Sequence, residues 1–460
     1  MDPRERLRER LRETLGAGRV ATAAPGPARP AHSENDVAEP FTPASRPSRD
    51  PGVAHYLPGF WQDTPVGRVF VVERRFELEH RHGALPLGRT VNIAPALLAR
   101  LGRDAALAAV DLRRVAFLDT ETTGLAGGTG TVAFLVGMGH FLDGHFRLRQ
   151  YFLEDLDGEE AMIRALTDYL ADFDGVVTFN GKTFDMPLLA TRVRMTRTRR
   201  GLDDIAHLDL LHPARRLYRD RIPSCRLQEL ERRYLGLERM EDIPGWEIPS
   251  VYFRYVRTRR FRALLPVFEH NALDVLSLVT LAAHLARVWR GDGLRDAGDR
   301  LALGRACETE GELDEALEHY LAALDCTDLR PAEQEDCERR LSLLYKRLDR
   351  PAEALAVWYR VANRPDNRSL YPLLEIAKHY EHVAKDLSAA RAACERALAL
   401  LDGYHARMGY AHVAADRRSL LNRLARIETR LAREAERAAR PRRTHRATDA
   451  VEQDSPAVLQ

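Results

Sequence analysis

The sequence predicts a mixed α/β domain followed by an all-α domain of helical repeats, and three observations predict it. Three strand-like runs within residues 113–152 are separated only by short turns, which is the pattern of an antiparallel meander. A helical pattern from Glu159 to Asp172, an apolar strand from Val176 to Phe179 and a second helix from near Asp185 come next, an order that adds parallel strands to a mixed sheet. After about residue 295 the chain turns continuously helical, and Gly311-Glu-Leu-Asp-Glu-Ala-Leu-Glu-His-Tyr, Asp349-Arg-Pro-Ala-Glu-Ala-Leu-Ala-Val-Trp and Lys385-Asp-Leu-Ser-Ala-Ala-Arg-Ala-Ala-Cys recur at offsets of 38 and 36 residues.

A chain of 460 residues exceeds one ordinary core, since a domain takes roughly 150 residues. With 45% hydrophobic and 30% charged residues, a wholly disordered chain is excluded. The 70 basic and 68 acidic side chains leave a formal charge of +2, so any nucleic-acid surface must be a local patch. Five widely spread cysteines without a C-x-x-C pair indicate neither a disulfide framework nor a zinc ribbon, which fits a reducing cytoplasm. No apolar segment of signal-peptide or membrane length interrupts the sequence, so no membrane partner is expected.

The elements follow in order. Residues 1–20 place Leu7, Leu11 and Leu15 four apart, a weak amphipathic helix, and the Ala/Pro/Arg-rich run to residue 54 lacks periodicity, so 1–54 is expected to be disordered or weakly helical. Residues 55–110 carry the strand Arg68-Val-Phe-Val-Val-Glu-Arg-Arg-Phe-Glu-Leu-Glu and form a β-containing extension of the next domain. Residues 111–292 hold the mixed sheet, beginning with Val115-Ala-Phe-Leu. The repeats occupy 296–435, with Ala306, Gly311, Ala316 and Tyr320 marking the clearest copy, and the tail 436–460 is expected to be disordered. The repeats resemble tetratricopeptide (TPR) repeats, whose period is about 34 residues and whose stacking leaves a concave surface for a protein partner.

The candidate chemistry lies in carboxylates placed where strands meet turns. Asp119 and Glu121 close the strand Val115–Leu118, and their i, i+2 spacing sends both side chains to one face. Two acids on one face of a buried strand repel each other, an arrangement that a cation would relieve. Asp185 follows a strand in Thr178-Phe-Asn-Gly-Lys-Thr-Phe-Asp-Met-Pro and starts a helix, and Asp274 follows His270 by four residues in His-Asn-Ala-Leu-Asp. In a continuous helix begun by Pro266, His270 and Asp274 share a face, and the imidazole is a candidate base for an attacking water. Each acid alone has a structural reading: a solvated turn for Asp119 and Glu121, a helix cap for Asp185, an arginine partner for Asp274, and a late helix start at Asn271 that would move His270 off the shared face.

Asp119-Thr-Glu-Thr-Thr-Gly resembles the first motif of DEDD exonucleases of the DnaQ-like superfamily. The segments around Asp185, His207-Leu-Asp-Leu-Leu-His, Asp242-Ile-Pro-Gly-Trp-Glu-Ile-Pro and His270-Asn-Ala-Leu-Asp resemble, over about 55–290, the YprB-type ribonuclease-H-like proteins. The resemblance implies an α/β ribonuclease-H-like domain with Asp119, Glu121, Asp185 and Asp274 as ligands of two Mg²⁺ or Mn²⁺ ions and His270 as general base. It implies a hydrolase of nucleic acid, a 3′–5′ exonuclease on single-stranded DNA or RNA ends. A non-cutting nucleic-acid adaptor and a structure-specific endonuclease are the alternatives. The third motif departs from the family by carrying histidine at a tyrosine-type position.

Thr122, Asn180 and Lys182 are candidate substrate contacts, and Asp209 is either a further acid of the site or the start of an element. Gly175-Val-Val-Thr-Phe-Asn-Gly-Lys-Thr is rejected as an ATP loop because its interior is an apolar strand. The arginine runs 192–200 and 254–262 are candidate phosphate contacts with Tyr255 and Phe261 as base-stacking side chains, the glycine-rich turn 124–130 is a close-approach site for a strand, and Trp246 is expected to anchor its loop.

Overall fold

A computed structural model describes residues 52–124, 130–198, 202, 205–365, 367–408 and 414–439. The expected N-terminal helix and linker, the centre of the glycine-rich turn and the tail beyond 439 lie outside the described residues. The chain divides into two compact units at Arg295/Asp296.

The first unit is built on a seven-stranded sheet in the order β1-β2-β7-β6-β5-β8-β9. Its strands are β1 Gly59–Thr64, β2 Gly67–Glu77, β5 Val115–Thr122, β6 Ala133–Leu142, β7 His145–Phe152, β8 Gly175–Thr178 and β9 Ala206–Asp209. A separate two-residue ladder joins β3 Arg81–His82 to β4 Leu85–Pro86. The expected meander is β5-β6-β7, all antiparallel, while β8 and β9 add in parallel beside β5. Within the extension at 55–110, β1 and β2 join the same sheet, because β2 pairs with β7 and carries it outward. Strand β5 is apolar on both faces from Val115 to Leu118, each residue fully buried, as suits a central strand.

Helices α1 Val53–Tyr56, α2 Pro95–Gly102, α3 Glu159–Leu170, α4 Asp185–Met195, α5 Leu211–Tyr218, α6 Leu227–Leu230, α7 Ile248–Thr258 and α8 Leu265–Trp289 complete the unit. Helix α8 packs on β5 and β6. Two glycines of β6 permit that approach: a Cβ on Gly137 would lie 2.3 Å from Asn271 Oδ1, and one on Gly139 would lie 2.9 Å from Val275. The apolar stretch Phe261–Trp289 is long enough to cross a membrane, yet 83% of its most apolar window is buried in the protein, which is the signature of a core helix.

The second unit consists of helices α9 Ala297–Glu310, α10 Leu313–Leu324, α11 Pro331–Arg347, α12 Pro351–Ala362, α13 Tyr371–His379, α14 Leu387–Met408 and α15 Ala414–Ala439. Consecutive helices pack on one another, as in TPR-like repeats. The three turn positions that head the repeat, Gly311, Asp349 and Lys385, all have left-handed backbones, with φ of 88°, 55° and 58°. The turn geometry thus persists where the glycine does not. Ala306, Ala316 and Tyr320 are buried, and Gly304 leaves room for the Tyr320 ring.

Candidate functional site

The site grows from the end of β5. The ladder with β6 shifts register between Glu121 and Thr122, where Phe134 is the extra residue on β6 and pairing resumes with Thr122 opposite Ala133. Asp119, opposite Gly137, accepts from Asn271 Nδ2 at 2.9 Å, and Gln150 on β7 donates to Asn271 Oδ1 at 2.9 Å. Asn271 is therefore no helix cap: it lies fully buried inside α8, which runs unbroken from Leu265 with Pro266 in its first turn. This continuity puts His270 and Asp274 on one face, with Nε2 of the imidazole 3.6 Å from Asp274 Oδ2.

Glu121, His270 and Asp274 each present a ligand atom within 4.8 Å of the others. Asp119 and Asp185 stand outside that tight group but inside its electric field. Asp185 opens α4, where no side chain caps the first turn, and it accepts instead from the hydroxyl of Thr120, the residue between Asp119 and Glu121. Burial raises the pKa of Asp119 well above its usual value, and the charges of Asp274, Glu121 and Asp185 raise it further, against the bond from Asn271. Glu121 is pushed up to about 8, chiefly by burial, although the His270 charge pulls the other way. Asp185 rises to about 6, again by burial, with the Thr120 bond opposing. His270 is raised to about 9: burial disfavours its charged form, but the Asp242 bond and the carboxylates of Asp274 and Glu121 outweigh it.

Two residues without a role in the sequence reading hold this group in place. Asp242 accepts from His270 Nδ1 at 2.7 Å, and Arg239, its side chain only 5% exposed, bonds Glu231 at 2.5 and 2.8 Å, Asp242 at 3.0 Å and Asp274. Both sit in the non-periodic stretch before α7, where no local pattern points inward. Asp242 opens the Asp-Ile-Pro-Gly-Trp motif, the one available signal. The tryptophan of that motif anchors nothing, since Trp246 is 71% exposed.

The remaining candidates separate. Thr122 donates to the Gly124 carbonyl at 2.8 Å, while Asn180, at φ 66°, and Lys182 are exposed on the loop after β8. That loop is organised by Asp209, whose carboxylate accepts from the backbone N–H groups of Asn180 at 2.8 Å, Lys182 at 3.1 Å and Leu211 at 3.1 Å. Asp209 thus joins two strand ends and acts on Asp185 only through its charge. Tyr255 and Phe261 are buried in the core and cannot stack on bases, and Arg192 is buried in a bidentate pair with Glu159. Apolar side chains set among arginines were facing the core all along.

Four acids gather around this site, Glu121 and Asp185 among them buried, and Glu121 Oε1 is buried without a hydrogen-bond partner. Hard oxygen donors and an unsatisfied carboxylate oxygen fit Mg²⁺ or Mn²⁺. Residues 116–286 match the RNase_H superfamily. The chain is also 30% identical over 333 residues to the uncharacterized protein YprB of Bacillus subtilis (strain 168), covering 71% of this chain and 79% of that protein.

Proposed function

The chain belongs to the YprB-type family of the RNase_H superfamily, and from that premise we propose that it is a metal-dependent nuclease acting as a 3′–5′ exonuclease on single-stranded ends. One observation carries the proposal: Glu121, with an unpartnered buried oxygen, lies beside His270 and Asp274 at the end of the strand that also bears Asp119. The motif resemblance of Asp119-Thr-Glu-Thr-Thr-Gly supports the exonuclease subtype.

Asp119, Glu121, Asp185 and Asp274 would hold two divalent cations. Bound there, such ions supply Lewis-acid stabilisation of a phosphate and make water acidic enough to attack it. The protein's own groups do the aligning. Asn271 fixes the Asp119 carboxylate, Thr120 fixes Asp185, and Arg239 orients Asp274. Asp242 occupies Nδ1 of His270, so Nε2 is the atom left to take or return a proton on the Asp274 side. With a cation held by these carboxylates, less of their negative field would act on His270, and Nε2 would be the atom available as base. Lys182 and Asn180, exposed on the loop between β8 and Asp185, are the side chains we assign to a substrate phosphate.

The deciding experiment incubates 5′-labelled and 3′-labelled DNA and RNA oligonucleotides with the full chain in Mg²⁺ or Mn²⁺ beside Asp119→Ala. Stepwise shortening from the 3′ end that the substitution abolishes is expected. Equal behaviour of the two proteins overturns the nuclease reading, and internal cutting overturns the exonuclease one.

A further inference from the structure

We propose that a second, basic cavity in the first unit binds the backbone phosphates of a nucleic-acid strand; the proposal rests on the nuclease reading above. The cavity, about 700 Å³, is lined by Arg81, Arg89, Arg287 and Arg290, with Asp292 the one acid among its lining residues. Arg290 is 3.7 Å from Asp292, and Arg81 donates to the Ala84 carbonyl. Arg89 and Arg287 differ from these. Among the described residues neither guanidinium has a hydrogen-bond or ion-pair partner; Arg287 is half-buried and Arg89 exposed.

A phosphate would supply the counter-charge that the described residues do not place beside these two guanidinium groups. The wall beside Arg287 is fitted to it: Gly293 has φ 73°, and a Cβ there would lie 3.0 Å from the guanidinium. Planar forks of N–H donors recognise phosphate oxygens in pairs. No aromatic side chain lines the cavity to stack a base, so it favours the backbone over a nucleobase. Its size suits a nucleotide-sized piece of strand.

The cavity is not part of the carboxylate site. Helix α8 carries His270 and Asp274 near its start and Arg287 in its last turn, thirteen residues beyond Asp274 and so about 20 Å farther along the axis. A strand held here is gripped away from the point of cutting, and the grip acts on affinity and not on the chemical step.

The test measures binding of a labelled oligonucleotide of about 20 nucleotides by anisotropy, in chelator and over a range of salt, with the full chain and its Arg89→Gln, Arg287→Gln and Arg89→Lys forms. Each glutamine substitution is expected to weaken binding and to lower the slope of log affinity against log salt by about 1, while Arg89→Lys keeps the slope. In Mg²⁺ or Mn²⁺ the same glutamine forms raise KM and leave kcat unchanged. Unaltered affinity and slope in the glutamine forms overturn the proposal, as does a wild-type chain that binds no oligonucleotide. Displacement by inorganic phosphate or a mononucleotide far below the concentration of competing strand phosphates also overturns it, in favour of a small ligand. Arginine-dependent binding without any cutting leaves the cavity standing and removes the nuclease reading instead.

Discussion

Asp242 accepts a hydrogen bond from His270 Nδ1 at 2.7 Å, although 28 residues separate them and neither lies in the other's element. The carboxylate helps raise His270 to about 9 despite burial, which works against the charged ring. In Asp242→Asn both the charge and the strongest acceptor are lost, so the His270 titration should fall by roughly one to three pH units. Imidazole resonances followed by NMR in the metal-free protein check this. An unmoved midpoint would show that Asp242 does not control the ring.

The metal-free protein should lose stability as pH rises. Glu121 titrates near 8 in the folded chain against 4.5 normally, and His270 near 9 against 6.5, so between pH 6.5 and 8 the folded state holds protons that the unfolded state has released. Both raised values contribute stability that is complete below the unfolded pKa and is lost as pH climbs through the folded one. Tm in chelator should therefore fall across this window, Mn²⁺ should restore it, and Glu121→Gln should flatten the decline. A Tm that is level in chelator argues against the buried, charge-crowded cluster.

Gly137 leaves the space that Asn271 fills. Gly137→Ala puts a methyl 2.3 Å from Asn271 Oδ1 and should cost about 1–3 kcal/mol in denaturant unfolding. Asn271→Ala alone strips Asp119 and Gln150 of a partner and also destabilises, but in the double variant the two costs should fall short of their sum. Simple additivity would mean that the helix shifts as a body instead.

In the repeat unit, Asp349 and Lys385 adopt the left-handed turn that Gly311 adopts without strain. For residues with a Cβ that conformation costs roughly 1–2 kcal/mol, partly offset by the greater unfolded freedom of glycine. Asp349→Gly and Lys385→Gly should each stabilise the protein by about 0.5 kcal/mol, visible as a raised Tm. A lowered Tm would show that their side chains contribute more than the turn strain costs.

Much of this was legible because it was local. The i, i+2 pair at Asp119 and Glu121 and the i, i+4 pair at His270 and Asp274 are facts of strand and helix geometry, and the short turns at 124–130 and 142–145 leave a meander as the natural outcome. Arg239, Asp242 and Asn271 were not legible, because their partners are fixed only when α8 docks on the sheet and the stretch before α7 folds over it. Tyr255 and Phe261 misled for the complementary reason: their arginine neighbours suggested a surface, whereas helix phase turns them to the core. The paired left-handed residues at 349 and 385 carry no glycine to announce the turn.

The bond from Asn271 to Asp119 spans 152 residues of sequence. A growing polypeptide has the first acidic pair complete long before α8 leaves the ribosome. The cluster therefore cannot close until Asn271 and Asp274 have been made and have emerged, and until then a nascent chain holds Asp119 and Glu121 without the partners that α8 brings.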